Sequence, residues 1–468
     1  MRVTFVLPAL TEATSPAFRP IKYSLFPPLG LASLAAWLDP ERDTARIVDE
    51  HVEPMPVGDT PDLAVIQVYI TNAKRAYALA DDYRSRGVRV ALGGLHVTSL
   101  PDEAAPHADH VFLGPGDATF PRFLADLRAG NPAPRYVSDE DRTLVGVPPI
   151  RRDLIRRELY LVPNSIVVTR GCPYSCSFCY RDAFFEGGRG FYTQQVDDAL
   201  AEIDRLPGKH LYFLDDHLLG HPRFARDLFE GMRGMNRLFQ GAATVGSILK
   251  GDLVERAAEA GLRSLFVGFE TLDEGNLGAA DKQHNLGRDY AAAIRRLDDL
   301  GIMVNGSFVF GLDRDGPDVF RRTVDWAVDQ GITTATFHVL TPYPGTKLFA
   351  QMEAGGRLLH RDWDLYDTRH TVFRPTRLTP KQLEDGYWGA YRDFYSWANV
   401  VRGARNHADP MDRMRHLAYA GAWKKLEPMW DRVIRSRALQ RMRPMLEELL
   451  TARRDRRLLG ATPVAEAA

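Results

Sequence analysis

Cysteine is scarce in this chain of 468 residues: it occurs three times, and all three positions lie between residues 172 and 179. A disulfide scaffold needs cysteines spread along the chain, so this distribution excludes one. Three thiols gathered in one short stretch instead predict a common role as ligands of a metal or cluster. The alternative is a chance group of thiols that serves no common site.

Long apolar runs and a strong net charge are also lacking. The longest apolar stretch, residues 29–38, is much shorter than the ~20 residues that cross a bilayer. The N-terminal run 3–7 is strand-like, ends at Pro8 and does not match a cleaved secretory signal. The formal net charge of −1 creates no field that favours nucleic acid or an acidic membrane. These features predict a cytoplasmic protein with no transmembrane segment and no nucleic-acid partner.

The three cysteines, Cys172, Cys176 and Cys179, have the spacing C-x3-C-x2-C and follow a β-branched run at 166–169. A structural zinc ion requires four ligands, usually from two cysteine pairs, and no second pair exists here. A [4Fe–4S] cluster held by three thiolates keeps one iron open for another molecule. The spacing therefore favours a cluster over zinc.

This motif, with Phe178 just before the last cysteine, resembles the signature of the radical S-adenosylmethionine (radical SAM) superfamily. The resemblance implies that the three cysteines hold a [4Fe–4S] cluster whose open iron binds SAM. It also implies that one electron cleaves SAM to a 5′-deoxyadenosyl radical, which removes hydrogen from an unactivated carbon. The electron would come from a reductant such as flavodoxin or ferredoxin.

Residues 1–135 alternate short apolar runs with helical periodicity, which predicts a doubly wound α/β domain of the Rossmann or flavodoxin-like type. Ligands of such sheets bind outside the carboxyl ends of the strands. The loops at these ends begin at Tyr69, Gly93 and Gly114. The predicted strands are 3–7, 45–48, 63–68, 88–92 and 110–113, and the predicted helices are 29–38, 73–86 and 119–127.

The phrases at 61–68, 93–98 and 114–117 resemble the cobalamin-binding domain of B12-dependent radical SAM proteins. The resemblance implies that Tyr69 lies near the corrin. It places the following residues around the nucleotide tail: Gly93, Gly94, Thr98, Gly114 and Gly116. The alternative is a domain of the same shape that no longer binds a corrinoid.

One departure from the cobalamin pattern concerns the histidine that replaces the base on cobalt in some of these domains. The D-x-H-x-x-G motif is absent, because the stretch that begins at Asp49 and contains His51 has Pro54 where glycine is needed. The family pattern therefore implies cobalamin without a protein histidine ligand. His51 is predicted to be an ordinary loop residue, and His96 a hydrogen-bonding or structural residue of the tail-binding loop.

Residues 136–160 are rich in proline and charge and predict a linker. Residues 161–375 repeat a strand-helix unit, which predicts a partial (β/α)6 barrel with chemistry at the carboxyl ends of its strands. The predicted strands are 166–169, 211–214, 242–245, 264–268, 304–310 and 334–340. The radical SAM resemblance implies SAM contacts at the following residues: Asp215, Asp216, Glu270, Gly306 and Gly311.

Residues 376–468 are predicted to form a C-terminal helical domain with a tail. The polar and aromatic stretch just before it contains Tyr366 and His370, which are predicted to act as proton donors or acceptors over the barrel mouth. A loop packed against the barrel wall is the alternative. An arginine-rich helical stretch at 431–458 predicts a solvated helix face, and residues 461–468 a disordered tail.

Together these features predict a cobalamin-dependent radical SAM enzyme, with methyl transfer to an unactivated carbon through a 5′-deoxyadenosyl radical and methylcobalamin. One alternative keeps the cofactors but performs an oxidation, cyclisation or rearrangement. Another is a cobalamin-binding sensor or electron-transfer protein without turnover. The expected substrate is a small molecule: a lipid, a tetrapyrrole or a natural-product intermediate.

Overall fold

The computed structural model describes residues 1–10, 26–138 and 141–425. The arginine-rich stretch 431–458 and the tail 461–468 lie outside these residues. No helix in the described ranges is long and apolar enough to cross a membrane.

The first domain is built on a six-stranded parallel sheet with the order β2-β1-β3-β4-β5-β6. Its strands are β1 (Arg2–Leu7), β2 (Thr44–Asp49), β3 (Leu63–Gln67), β4 (Arg89–Gly93), β5 (His110–Leu113) and β6 (Arg135–Val137). The chain order reverses between β1 and β3, which is the switch point where such sheets bind ligands. The predicted doubly wound sheet is therefore present, and the loop after β3 lies beside the switch point.

Helices cover both faces of this sheet, because its central strands carry apolar side chains on both sides. They are α1 (Leu29–Ala35), α2 (Ala73–Ser85), α3 (Leu95–Ser99), α4 (Pro101–Ala104) and α5 (Gly116–Arg128). Val6 and Ile66 belong to one buried cluster, whereas Phe5 and Val65 belong to a second cluster on the opposite face. This burial of both faces is typical of parallel sheets.

The strand β6 corrects the predicted start of the linker, because it extends the sheet to Val137. Only Tyr136 of this strand is buried, and its neighbours are exposed. A strand with one inward side chain has no alternating pattern long enough to be recognised in sequence.

The second domain contains a parallel sheet with the order β14-β13-β12-β11-β10-β7, so that each strand pairs with its neighbour along the chain. This is the order of an open α/β barrel. The strands are β7 (Ser165–Ile166), β10 (His210–Phe213), β11 (Leu238–Ala243), β12 (Leu262–Glu270), β13 (Met303–Phe310) and β14 (Thr334–Val339). Between and after them lie α6 (Arg181–Phe184), α7 (Val196–Arg205), α8 (Pro222–Met232), α9 (Val245–Leu249), α10 (Leu253–Ala260), α11 (Glu274–Ala279), α12 (Tyr290–Asp299), α13 (Val319–Asp329) and α14 (Lys347–Ala354).

The predicted strand 166–169 is divided in the structure. Its first residue belongs to β7 of the barrel, whereas Thr169 begins β8 (Thr169–Gly171), which pairs antiparallel with β9 (Phe191–Thr193) outside the barrel sheet. The backbone N–H groups of Val168 and Thr169 bond to the Asp215 carboxylate instead of to a neighbouring strand. A side chain distant in sequence thus ends this strand.

The C-terminal helices cover an edge of the barrel. They are α15 (Pro380–Phe394), α16 (Trp397–Ala404) and α17 (Pro410–His416), followed by a π-helical stretch, Leu417–Lys425. The Tyr395 hydroxyl donates to the Ala335 carbonyl (2.8 Å) and accepts from the Ala335 N–H (3.0 Å), and Tyr391 does the same at Phe337. Both aromatic side chains therefore satisfy the open edge of β14, where an unpaired strand would otherwise be exposed.

Candidate functional site

The three cysteines lie on the loop between β8 and α6, at the carboxyl end of the first barrel strand. Backbone bonds fix the centre of this loop: Ser177 donates to Ala280 and accepts from Leu348, both at 3.0 Å. The Cys179 N–H donates to the Cys176 carbonyl at 3.0 Å, which turns the two side chains around one point. The loop is thus held by the elements that follow β12 and β14.

The thiols are half-buried, and burial raises the pKa of Cys172 and Cys176 to about 11 and that of Cys179 to about 12. The charges of neighbouring cysteines contribute further to each increase. Repulsion between thiolate charges shifts a pKa only when the sulfurs are close, so the three cysteines lie near one another. A cation at this position would lower these pKa values and favour the thiolates, which are the metal-binding form.

The donor set fits a cluster better than a single metal ion. Within the described ranges, no group of three or more His, Cys, Asp or Glu side chains could hold one metal ion. A single zinc ion draws its sulfur ligands to about 2.3 Å from one centre. In an iron–sulfur cluster each thiolate binds a different iron, so the sulfurs stand further apart. Cys172, Cys176 and Cys179 would hold such a cluster.

Asp215 positions the chain that leads into the cysteine loop. Its Oδ1 accepts from the Val168 N–H (3.1 Å) and the Thr169 hydroxyl (2.6 Å), and Oδ2 is buried with no partner among the described residues. Burial raises the pKa of this carboxyl from 3.8 to about 7. Oδ1 thus holds this segment in place, and the predicted contact of Asp215 with SAM stays a prediction.

We expect Asp215→Asn to reduce the pH dependence of folding stability. The raised pKa means that the folded state binds the proton on Asp215 more tightly than the unfolded state does. Protonation therefore stabilises the fold fully below about pH 4, the ordinary pKa, and this contribution is lost as the pH rises through about 7, the pKa in the folded state. The two pKa values differ by an amount worth roughly 4 kcal/mol. Melting temperatures at pH 5 and pH 8 should differ more for the wild type than for the variant, and equal differences would contradict this assignment.

Asp216, unlike its neighbour, opens into a cavity of about 340 Å³ between the two domains, which we call the glycine cavity. The Tyr180 hydroxyl donates to Asp216 Oδ1 at 3.3 Å, and the charge of Asp216, with burial, raises the Tyr180 pKa well above its ordinary value. Arg170 lines the same cavity and pairs with Asp117 of the first domain at 3.3 Å. Asp216 therefore faces a cavity, as a SAM contact would require, and the contact itself stays a prediction.

Glu270 ends β12 in a left-handed conformation, with φ = 63°. The register of β12 against β13 shifts between Gly268 and Glu270, and such bulges redirect side chains at strand ends. Its carboxylate is paired with the buried Lys282 amine. Non-glycine residues with positive φ cluster at functional sites, which agrees with the predicted role of Glu270 in binding SAM, a role that stays a prediction.

The two glycines predicted to contact SAM are explained by internal packing. A Cβ on Gly306 would stand 3.0 Å from the Phe308 ring and 3.2 Å from Ile332. Gly311 has φ = 98°, and a Cβ there would stand 2.7 Å from Leu383 of α15. Glycine is needed at both positions without any ligand, so their contact with SAM stays a prediction.

An aromatic stack stands beside the cysteine loop. The Tyr174 ring lies 3.9 Å from the His284 ring and 5.9 Å from the His217 ring, centroid to centroid. Burial, followed by the charge of Lys282, lowers the His217 pKa to about 4 and the His284 pKa to about 3. Both imidazoles are therefore neutral near pH 7 and add no charge to this wall.

The glycine loops of the first domain line the glycine cavity, and their predicted contact with the nucleotide tail of cobalamin stays a prediction. Gly94 has φ = 117°, and a Cβ there would stand 2.7 Å from the Val68 carbonyl oxygen. Thr98 connects the two loops, because its hydroxyl donates to the Gly94 carbonyl and accepts from the Gly114 N–H, both at 2.9 Å. The residues of this set that line the cavity are Gly93, Gly94, Gly114 and Gly116.

Tyr69 follows β3 and lies where three cavities meet. It lines the glycine cavity, a polar cavity of about 420 Å³ that also contains Arg170 and Glu202, and a third of about 320 Å³. Its hydroxyl accepts from Gln67 at 3.0 Å. This position at the switch point agrees with the predicted place beside a corrin, which stays a prediction.

Neither candidate histidine of the first domain is placed to contact a ligand in the glycine cavity. His51 Nδ1 lies 2.9 Å from Asp49 Oδ1. His96 is buried, and its Nε2 lies 2.8 Å from Glu103, which also accepts from Trp363 at 3.1 Å. His96 thus helps to join the first domain to the segment after the barrel, in agreement with its predicted structural role.

The predicted catalytic roles of Tyr366 and His370 are not supported by the geometry. The Tyr366 side chain is fully buried, and its hydroxyl donates to the His360 carbonyl at 2.7 Å. Tyr366 lines the third cavity, whereas the His370 ring packs 3.1 Å from Asp367 Oδ1 and does not belong to the cavity lining. Sequence analysis recognised the polar stretch but could not assign which of its atoms are already bonded.

Sequence analysis also gave no role to Tyr180, Arg170 and Lys282. Tyr180 lines both the glycine cavity and the third cavity, and Arg170 lines the glycine and polar cavities. For Tyr180 and Arg170, the only feature of the sequence that indicates a role is their position next to the cysteine motif. No feature of the sequence indicates a role for Lys282, because it lies far along the chain from the motif and approaches it only in the folded structure.

Comparison with known proteins agrees with this architecture. Residues 166–343 match the family model of the radical SAM superfamily. A bacteriochlorophyllide d C-12(1)-methyltransferase of Chlorobaculum tepidum is 29% identical over 73% of this chain and 76% of its own length. A hopanoid C-2 methylase of Rhodopseudomonas palustris is 28% identical over 72% of this chain and 66% of its own length.

A solved structure shares the whole fold. It is a radical S-adenosylmethionine methyltransferase, TsrM, from Kitasatospora setae, with cobalamin and a [4Fe–4S] cluster bound. The alignment covers 93% of this chain and 99% of that one, with a TM-score of 0.61 and 16% sequence identity. Residues 166–343 therefore form a radical SAM domain, and the chain as a whole has the fold of a solved radical SAM methyltransferase that binds cobalamin.

Proposed function

We propose that this protein is a cobalamin-dependent radical SAM methyltransferase that moves a methyl group from SAM to an unactivated carbon of a small molecule. The observation that carries the proposal is the glycine cavity. Its walls come from Gly94 and Gly114 of the first domain and from Gly171 and Asp216 beside the cysteine motif. Two cofactors bound at these strand ends would face each other across one cavity.

Different residues of this site would bind the cluster, border cobalamin and join the two domains. Cys172, Cys176 and Cys179 would hold the cluster, and the Gly93–Gly94 and Gly114–Gly116 loops would border cobalamin. When bound, these groups supply reductive cleavage of SAM and a transferable methyl group. The Arg170–Asp117 pair bridges the domains at 3.3 Å and keeps the two binding surfaces in register.

The proposal also covers the substrate class, the cellular compartment and the reductant. The named relatives act on a bacteriochlorophyllide and on a hopanoid, so tetrapyrrole and lipid substrates are both in the expected class. Thiolate ligands of an iron–sulfur cluster require a reducing compartment, which supports a cytoplasmic location and a reductant such as flavodoxin or ferredoxin.

The test is an analysis of SAM products by chromatography with mass detection. Anaerobically reconstituted protein receives reductant and SAM, with and without cobalamin. We expect S-adenosylhomocysteine only with cobalamin, together with 5′-deoxyadenosine. Deoxyadenosine alone, unchanged by cobalamin, would favour an oxidation, cyclisation or rearrangement. The absence of both products would favour a sensor or electron-transfer protein.

A further inference from the structure

The third cavity, which we call the tyrosine cavity, lies between the two domains and beside the glycine cavity. Tyr69 and Tyr180 line both, so a molecule in the tyrosine cavity would lie next to one in the glycine cavity. Its volume is about 320 Å³, within the range of small-molecule sites. Most of its wall is aromatic or apolar, with contributions from Ile70, Leu95, Tyr343, Pro344 and Tyr366.

Asp367 is the acidic residue in this wall, and half of its carboxylate is unused. Oδ1 accepts from the N–H groups of Arg369 (2.9 Å) and His370 (3.1 Å) and from the His370 ring (3.1 Å). The side chain is only 7% exposed, yet Oδ2 is buried without a partner among the described residues. An unsatisfied buried acceptor is energetically unfavourable, so its presence calls for a donor.

The backbone holds Asp367 in this position under strain. The next residue, Thr368, has φ = 65°, which is unfavourable for a β-branched side chain. Its carbonyl accepts from the Val339 N–H at 2.8 Å, so the turn is tied to the end of β14. Strain of this kind persists where the surrounding structure enforces it, and it is common at ligand sites.

We propose that the tyrosine cavity binds the methyl-accepting substrate and that Asp367 Oδ2 accepts a hydrogen bond from it. The ligand class is an apolar, ring-bearing molecule that carries a hydroxyl, amine or ring N–H. Asp367 then selects substrates by their donor and orients them toward Tyr69 and Tyr180. This inference rests on the proposed function, because it assigns the substrate side of the same site.

The test exploits the two oxygens of Asp367. In Asp367→Asn, the amide oxygen can still accept the two backbone bonds, while an NH2 donor replaces the free oxygen. Three probes of one size are used: 1-naphthylmethylamine, 1-naphthalenemethanol and 1-naphthoate. Their binding to the full reconstituted chain is measured by saturation-transfer NMR.

We expect the wild type to prefer the amine and the alcohol over the naphthoate. In Asp367→Asn the preference for the amine should fall about 10-fold or more, because a hydrogen bond to a charged group contributes about 1.5–3 kcal/mol. The control is Asp362→Asn, which removes an exposed carboxylate paired with Lys74 in the same segment and should keep the wild-type order.

Two results would overturn the inference: a wild type that does not discriminate among the probes, or an unchanged preference for the amine in Asp367→Asn. The comparison of probes on the wild type does not depend on the folding of any variant. Because binding is measured without turnover, the inference and the proposed function can fail separately. A wild type that makes no S-adenosylhomocysteine but prefers the amine would refute the function and leave the pocket assignment standing.

Discussion

Replacement of Cys176 by alanine is expected to abolish 5′-deoxyadenosine formation. The chain has three cysteines in all, so no other thiol can replace the lost ligand. Two thiolates cannot hold a cluster that needs three protein ligands and one open iron. The Cys176 carbonyl, which accepts from the Cys179 N–H at 3.0 Å, is retained in alanine, so the turn itself should survive.

Iron content, the visible absorbance of the cluster and SAM products should be measured on anaerobically reconstituted protein. Ser177→Ala is the matched control, because the neighbouring Ser177 anchors the loop through backbone bonds that alanine keeps. The control should retain iron and deoxyadenosine formation. A Cys176→Ala protein that cleaves SAM at the wild-type rate would refute the assignment of the cysteine motif.

Gly94→Ala is expected to eliminate cobalamin binding and methyl transfer while sparing deoxyadenosine formation. The added Cβ would stand 2.7 Å from the Val68 oxygen and 3.1 Å from the Val68 nitrogen, both backbone atoms that cannot rotate away. The φ of 117° is also unfavourable for alanine. The loop must therefore move away from Val68, which changes the wall of the glycine cavity, whereas the cysteine loop belongs to the other domain.

Cobalamin retained after gel filtration, together with the ratio of S-adenosylhomocysteine to deoxyadenosine, measures this effect. Gly87→Ala is the control, because Gly87 also has positive φ (77°) but meets no atom within 4 Å. The control should bind cobalamin as the wild type does and lose only some thermal stability. Cobalamin bound equally well by Gly94→Ala would show that this loop does not form the binding surface.

The positions of the strands along the chain and of the cysteine motif could be predicted because both depend on local patterns. Apolar runs of the right length marked the strands of both sheets, and the cysteine spacing marked the site. The glycine loops were identified from their position after predicted strands and from their resemblance to a cobalamin-binding domain, and Gly94 and Gly114 both have positive φ in the structure.

The contacts that the sequence did not reveal join residues far apart along the chain. Oδ1 of Asp215 bonds to Val168 and Thr169, 47 and 46 residues earlier. Gly311 packs against Leu383 of a C-terminal helix. A sequence motif marks a strand end without saying which ligand or neighbour will occupy it.

The sequence by itself located the cluster-binding stretch, because all three cysteines lie between residues 172 and 179. The class of chemistry followed from the resemblance of that stretch to the radical SAM signature, and apolar periodicity predicted the two α/β domains. Only the tertiary structure decided which polar atoms remain free. Tyr366 and Asp367 are adjacent in sequence, yet the Tyr366 hydroxyl is bonded to His360 while Asp367 Oδ2 lacks a partner among the described residues. Hydrogen-bond satisfaction depends on how distant segments pack, and no local pattern records it.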